Sequence, residues 1–192
     1  MVWRDGNSPQ QLQRLAALGI PVYASRLGTL ADIAATLRRL GTLAGTAPAA
    51  QARAQAFEAE LAALRARYAG RRELRVFYQI WHQPLLTING RHLISESLRL
   101  CGARNVFAEL GALTPTVSAE AVLAADPEVI VTGSTDPAGG DNLELWRRLR
   151  ATQRRALLTV NPDTLHRSSD RIVDGVRELC EKLEAVRRRG GP

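Results

Sequence analysis

The groups in this chain that could do chemistry are three histidines, two cysteines and a cluster of aromatic and polar side chains that follows a short apolar run. Val76-Phe77-Tyr78-Gln79-Ile80 reads as a buried strand, and Trp81-His82-Gln83-Pro84-Leu85-Leu86-Thr87 as the Pro-broken loop beyond it. In an open α/β sheet, loops at the carboxyl ends of strands wall the ligand crevice. Two more loops fall in such places: one with Gly133 to Asp136, the other with Asp163, His166 and Arg167. Flat apolar groups among a few polar ones suit capture of a large, partly apolar ligand. Catalysis has no comparable support. There is no nucleophile elbow, P-loop, HExxH helix or CxxC pair. No pair of carboxylates stands at a spacing that suggests acid–base work. His82, His92 and His166 lie far apart without metal-ligand spacing, and each reads as a polar loop residue. His82 and His166 follow strands, which leaves a ligand contact open to them. No metal and no cofactor is expected.

Cys101 and Cys180 are the only cysteines, each near the end of an expected helix. Two buried thiols are one reading. The other is a disulfide closing a loop of about 80 residues, worth roughly 4 kcal/mol in the chain-entropy account. A disulfide requires an oxidising compartment.

The elements that would carry these groups alternate in type. Ser8 and Pro9 suit the start of a helix that Gly19 stops. A short strand is expected over 20–24. Thr29 and Asp32 resemble a capping box for a helix to about residue 43, with Leu30, Ile33, Ala34, Leu37 and Leu40 on its apolar face. This order argues for a parallel sheet flanked by helices. A long Ala-rich helix then runs over 48–68, with Phe57, Leu61, Leu64 and Tyr68 on one face. Spanning on the order of 30 Å, it suits a strut between two lobes. A second α/β block follows. Strands are expected over 75–79, 128–132 and 157–160, and helices over 94–100, 118–123, 143–149 and 170–186. Trp146 suits core or helix-surface packing, and the loop over 133–141 is rich in Gly, Pro and Asp.

Hydrophobic residues make up 45% of the 192, enough for a substantial core, and no run is long enough for a membrane span. The net charge is +7, which invites a nucleic-acid reading. Yet Lys182 is the only lysine and the arginines are dispersed as helix-face pairs, as in Arg38-Arg39 and Arg147-Arg148. That is a compositional bias rather than a phosphate grip, and nucleic-acid binding is not expected. Met1-Val2-Trp3 looks like the end of a strand and lacks the apolar segment of a signal peptide. Material N-terminal to Met1 is therefore expected to be missing.

Three stretches carry a family resemblance: Val76-Phe77-Tyr78-Gln79-Ile80-Trp81, Leu100-Cys101-Gly102-Ala103-Arg104-Asn105-Val106-Phe107-Ala108 and Val117-Ser118-Ala119-Glu120-Ala121-Val122-Leu123. Together they resemble the periplasmic cobalamin-binding proteins of ABC importers, part of a class that also binds siderophores and haem. Trp3-Arg4-Asp5-Gly6-Asn7 and Leu15-Ala16-Ala17-Leu18-Gly19-Ile20 are similar to the middle of that family's first lobe.

The resemblance implies an α/β, two-lobed class III periplasmic-binding-protein fold with a long linking helix and an incomplete first lobe. Residues 1–47 would be the remainder of the N-terminal lobe, 48–72 the interlobe helix and 73–189 the C-terminal lobe. It implies a monomer that captures a corrinoid, cobalamin, in the cleft without covalent chemistry and delivers it to the permease subunits of the importer. The full-length protein would be periplasmic. A ferric siderophore or haem is the alternative ligand, and a fragment of an α/β enzyme the alternative of another class. Trp3 matches a cleft aromatic and Asp163 a polar cleft residue. Trp81 joins them as the aromatic of this chain's own loop. Glu120 matches a glutamate that pairs with permease arginines, and otherwise reads as a first-turn acid that suits the helix dipole. Cys101 and Cys180 match the family's second-lobe disulfide pair. Thr114 and Leu86 stand where a family member has Trp and Phe, which puts the identity of the ligand in question more than its class.

Overall fold

The computed structural model describes residues 2–3, 8–25, 27–133, 146 and 156–189. The chain opens with strand β1 (Val2–Trp3), helix α1 (Pro9–Ala17) and strand β2 (Ala24–Ser25), which pairs parallel to β1 with Trp3 opposite Ser25. The expected strand over 20–24 is only these last residues. Pro21 has no N–H to give a ladder, and Ile20 to Tyr23 stay irregular. Gly19 ends α1 as expected, at a φ of +68°.

Helix α2 (Leu30–Leu43) starts at the expected capping box, with the Thr29 hydroxyl accepting from the Asp32 N–H and the Asp32 carboxylate accepting from the Thr29 N–H. Helix α3 (Ala47–Tyr68) turns back against it. A side chain at Gly41 would meet Ala50 Cβ at 2.1 Å, so glycine is what lets the two helices approach there. Ala54, Phe57, Leu61, Leu64 and Tyr68 are buried along α3, the apolar stripe that its sequence spacing requires. The helix packs on α2 on one side and on the helices of the second block on the other.

That block is a four-stranded parallel sheet in the order β4-β3-β5-β6: β3 (Leu74–Gln79), β4 (Ala103–Asn105), β5 (Val129–Thr132) and β6 (Leu157–Thr159). Helices α4 (Leu93–Leu100), α5 (Ala119–Ala125), α6 (Pro162–Leu165) and α7 (Ile172–Arg189) flank it. Strand alternation divides the core between two faces. Val76, Tyr78, Val129 and Val131 join the large core with α3, α4 and α7, whereas Phe77 and Ile130 face Val122 and Trp146. Phe77 stands 5.7 Å from the Trp146 ring and 5.8 Å from Phe107. Cys101, at the end of α4, is disulfide-bonded to Cys180 of α7. The expected loop over 133–141 and helix over 143–149 lie outside the described residues, apart from Gly133 and Trp146. Strand β4 and helix α6 were not foreseen. Arg104 and Asn105 carry no apolar signal, and β4 exists because its backbone completes the free edge of β3.

Candidate ligand cleft

The chain leaves β3 toward β4 on one side and reaches β5 on the other. The carboxyl ends of β3 and β5 are therefore the topological switch point, where open α/β sheets bind ligands. A cavity of about 450 Å³ opens there. Ile80 comes from the end of β3, His92, Leu93 and Ile94 from the start of α4, Leu113 and Thr114 from the connection to α5, and Leu165 and His166 from α6 and its end. Leu27 and Gly28, between β2 and α2, close it from the N-terminal block. The cavity thus lies between the two α/β blocks.

Two histidines dominate its polar chemistry. His92 is the N-cap of α4, and its Nδ1 accepts the Ile94 N–H at 3.2 Å. Burial, then the nearness of His166, pushes its imidazole down to about 4. His166 lies with Nε2 2.7 Å from the hydroxyl of fully buried Tyr78, and burial lowers its proton affinity too. Burial drives the Tyr78 phenol well above its ordinary range. Gly133, directly after β5, makes the seat: a Cβ there would stand 2.4 Å from His166 Cε1. All three groups are uncharged near neutrality, and the charge in the lining is the exposed guanidinium of Arg91, which donates to the Gly111 carbonyl.

Of the residues expected from sequence, Thr114 lines this cavity. Trp81 and Leu86 stand on the adjacent hairpin. They bridge each other, Leu86 bridges Thr116, and the Thr87 N–H donates to the Pro115 carbonyl at 3.0 Å. This hairpin and the Thr114 segment form one continuous rim. Trp81 is 54% exposed, so it is not core. Its Nε1 donates to the Gln83 carbonyl at 2.9 Å and its ring stacks on His82, which fixes a flat apolar face toward solvent. Thr87, by contrast, is buried and donates to the Tyr78 carbonyl, a scaffold contact. Asp163 is exposed outside the cavity, with its carboxylate accepting from Arg167 Nε and Nη2 at 3.2 and 2.8 Å. Trp3 lies opposite Ser25, two residues before cavity-lining Leu27. Glu120 is exposed on the first turn of α5, where its own amide and then the Ser118 hydroxyl hold its carboxyl below the usual range.

Sequence reasoning missed His92, Leu113 and Leu27. His92 had one usable signal: it directly precedes the periodic apolar run of α4, the position of an N-cap. Leu113, 46% exposed, follows Gly111 and Ala112 with no pattern to mark it. Among the described residues, no group of three or more His, Cys, Asp or Glu is placed to hold a metal.

A parallel sheet, a long helix packed on both α/β blocks and a cleft at the sheet's switch point define a binding protein of the periplasmic class. The chain belongs to the periplasmic binding protein family, whose pattern matches residues 4–163. It is 33% identical over 190 residues to the vitamin B12-binding protein of Vibrio parahaemolyticus, covering 98% of this chain and 69% of that one. The vitamin B12-binding protein of Yersinia pestis is 33% identical over 186 residues, 97% of this chain and 65% of that one. Among solved structures, the periplasmic vitamin B12-binding protein BtuF of Vibrio cholerae superposes with a TM-score of 0.88 at 34% identity, over 97% of this chain and 74% of that one. The haem-binding protein RhuT of Roseiflexus reaches 0.83 at only 17% identity, over 96% of this chain and 75% of that one, and shares the class III α/β fold.

Proposed function

We propose that this chain is the solute-binding component of an ABC importer and captures a corrinoid, cobalamin, in the cleft at the carboxyl ends of β3 and β5. The observation that carries the reading is the 34% identity and close superposition with the Vibrio cholerae protein. The cleft with its exposed apolar groups Trp81 and Leu113 supports it. Residues 1–47 act as one lobe, 48–72 as the linking helix and 73–189 as the second lobe. Trp81, Leu86 and Thr114 form the second lobe's face toward the ligand, Trp3 the first lobe's, and Asp163 with Arg167 the polar edge. Glu120 docks on the permease: an exposed carboxylate held ionised gives an orienting charge. The protein works in the periplasm, and capture needs no covalent step. The test is titration of the purified protein with cyanocobalamin, read by tryptophan fluorescence and calorimetry. Saturable one-to-one binding in the micromolar range or tighter is expected. No binding of cobalamin, with clear binding of haem or a ferric siderophore, overturns the ligand assignment.

A further inference from the structure

His92 and His166 both line the cleft, and each has one ring nitrogen committed to the protein. A neutral imidazole has one donor nitrogen and one acceptor nitrogen. His92 Nδ1 accepts the backbone N–H of Ile94, so its proton sits on Nε2. His166 Nε2 faces the Tyr78 hydroxyl at 2.7 Å. That contact has two possible directions, and burial decides between them. Tyr78 is fully buried, and among the described residues its hydroxyl has this one partner. Were Nε2 the donor, the phenol proton would be left buried without an acceptor, which costs the full desolvation of that group. Tyr78 therefore donates, and His166 carries its proton on Nδ1. The depressed proton affinities of both rings agree with neutral imidazoles.

The consequence is chemical. The nitrogen that each ring has left is an N–H, not a lone pair. Coordination of a metal needs the lone pair. Using it would force His92 to release the cap of α4, or His166 to orphan the Tyr78 hydroxyl.

We propose that His92 and His166 are specificity-determining hydrogen-bond donors, each offering one N–H to an oxygen of the ligand, a carboxamide carbonyl or a phosphodiester oxygen, and neither coordinating the ligand's metal. The proposal rests on the corrinoid reading and names the part of that ligand the cleft floor recognises. Tyr78 and Gly133 are the positioning residues: one fixes the tautomer of His166, the other leaves room for its ring.

The first measurement needs no ligand. Long-range ¹H–¹⁵N spectra of the uniformly labelled protein report the protonated nitrogen of each imidazole. The expected result is Nε2–H for His92 and Nδ1–H for His166, with His166 becoming a tautomer mixture in Tyr78→Phe. Nε2–H on His166 in the parent protein overturns the proposal whatever the protein binds. The second measurement is affinity. Tyr78→Phe and His166→Ala each weaken cyanocobalamin binding about fivefold to tenfold, the loss of one neutral hydrogen bond, while His166→Gln, which keeps an N–H, retains most of it. Urea unfolding confirms that the variants are folded. Assigned tautomers with unchanged affinity in folded variants overturn the proposal. So does hydroxocobalamin whose visible spectrum shifts on binding as imidazole coordination requires. Cobinamide separates the acceptor: an equal loss on it identifies amide carbonyls, and a loss seen only with cobalamin identifies the phosphodiester of its nucleotide. A parent protein that binds no corrinoid fails at the step before, through the ligand reading itself.

Discussion

Reducing the Cys101–Cys180 disulfide will cost this protein roughly a third or more of its stability. The bond joins residues 79 apart whose Cα atoms lie 4.8 Å from each other, both completely buried. The chain it closes carries β4, α5, β5 and β6, three of the sheet's four strands. In the chain-entropy account, closing a loop of this length removes about 15 cal/mol/K from the unfolded state, or ~4.5 kcal/mol at room temperature. A domain of this size has on the order of 5–15 kcal/mol in total. With a urea slope of about 2 kcal/mol/M, the unfolding midpoint falls by ~2 M.

The assay is urea unfolding by circular dichroism of the oxidised protein, the reduced protein and the double variant Cys101→Ala/Cys180→Ala. The reduced protein keeps both sulfurs, so it isolates the cross-link. The double variant adds the packing loss of two buried sulfurs and will fall ~1–2 kcal/mol lower still. Oxidised and reduced unfolding free energies that agree within ~1 kcal/mol would refute the reasoning, because the bond would then restrain nothing in the unfolded chain. Two titratable thiols in native protein from an oxidising compartment would refute it more directly.

Three further outcomes are expected. His92 titrates at about 4 in the fold against an ordinary 6.5, so the unfolded chain takes up the proton first and stability drops as pH falls between those values. At about 1.4 kcal/mol per unit the loss reaches ~3 kcal/mol. His92→Asn keeps the cap and should flatten that limb of the stability–pH curve, and an unchanged limb would exclude His92 as its source. Arg187 donates to the Arg72, Cys101 and Gly102 carbonyls at 2.7–2.8 Å while paired with Glu184. Arg187→Ala should destabilise by ~2–4 kcal/mol in urea unfolding, and Arg187→Lys should recover only part, since one ammonium cannot span the fork. Glu120→Gln should leave stability and corrinoid affinity unchanged and slow association with permease-containing vesicles, the difference closing as salt rises. Equal association rates at low salt would return Glu120 to the role of a helix-end charge.

The fold was legible wherever a pattern had a face to report. The stripe Phe57, Leu61, Leu64 and Tyr68 is buried as its spacing requires, and Val76, Phe77 and Tyr78 divide between the sheet's two sides. Thr29 and Asp32 cap α2 as their identities require. Illegible were elements made by their neighbours: β4, whose Arg104 and Asn105 pair only because β3 offers an edge, and α6, four residues begun by the Asn161 side chain accepting from the Asp163 N–H. The cleft was half legible. Loop positions after strands pointed to Trp81 and His166, and the family resemblance to Thr114, but nothing local tells that a histidine caps one helix while facing a cavity formed with another. His92 becomes a cleft residue only through the packing of α4 and α6 around the end of β3.

That packing explains how hydrogen bonds from neutral side chains can make the site selective. Tyr78 occupies an inward position of a central strand, so its ring belongs to the large core while its hydroxyl reaches the cleft floor. Gly133 is the next residue after the neighbouring strand, and its missing side chain is the space that the His166 ring fills. Register ties the two together, since Gln79 lies opposite Thr132 and each is the last residue of its strand. Shifting β3 by one residue would turn Tyr78 to the other face of the sheet, and shifting β5 would part Gly133 from the imidazole. The polar floor is therefore held by the same hydrogen-bond ladder that holds the sheet. Loops at the rim are free to vary, and Thr114 and Leu86 are where such variation would alter the ligand's apolar contacts. The donors are each tied by one hydrogen bond to the scaffold, His166 to buried Tyr78 and His92 to the first turn of α4, so they are the part of the cleft best suited to reading an invariant feature of the ligand.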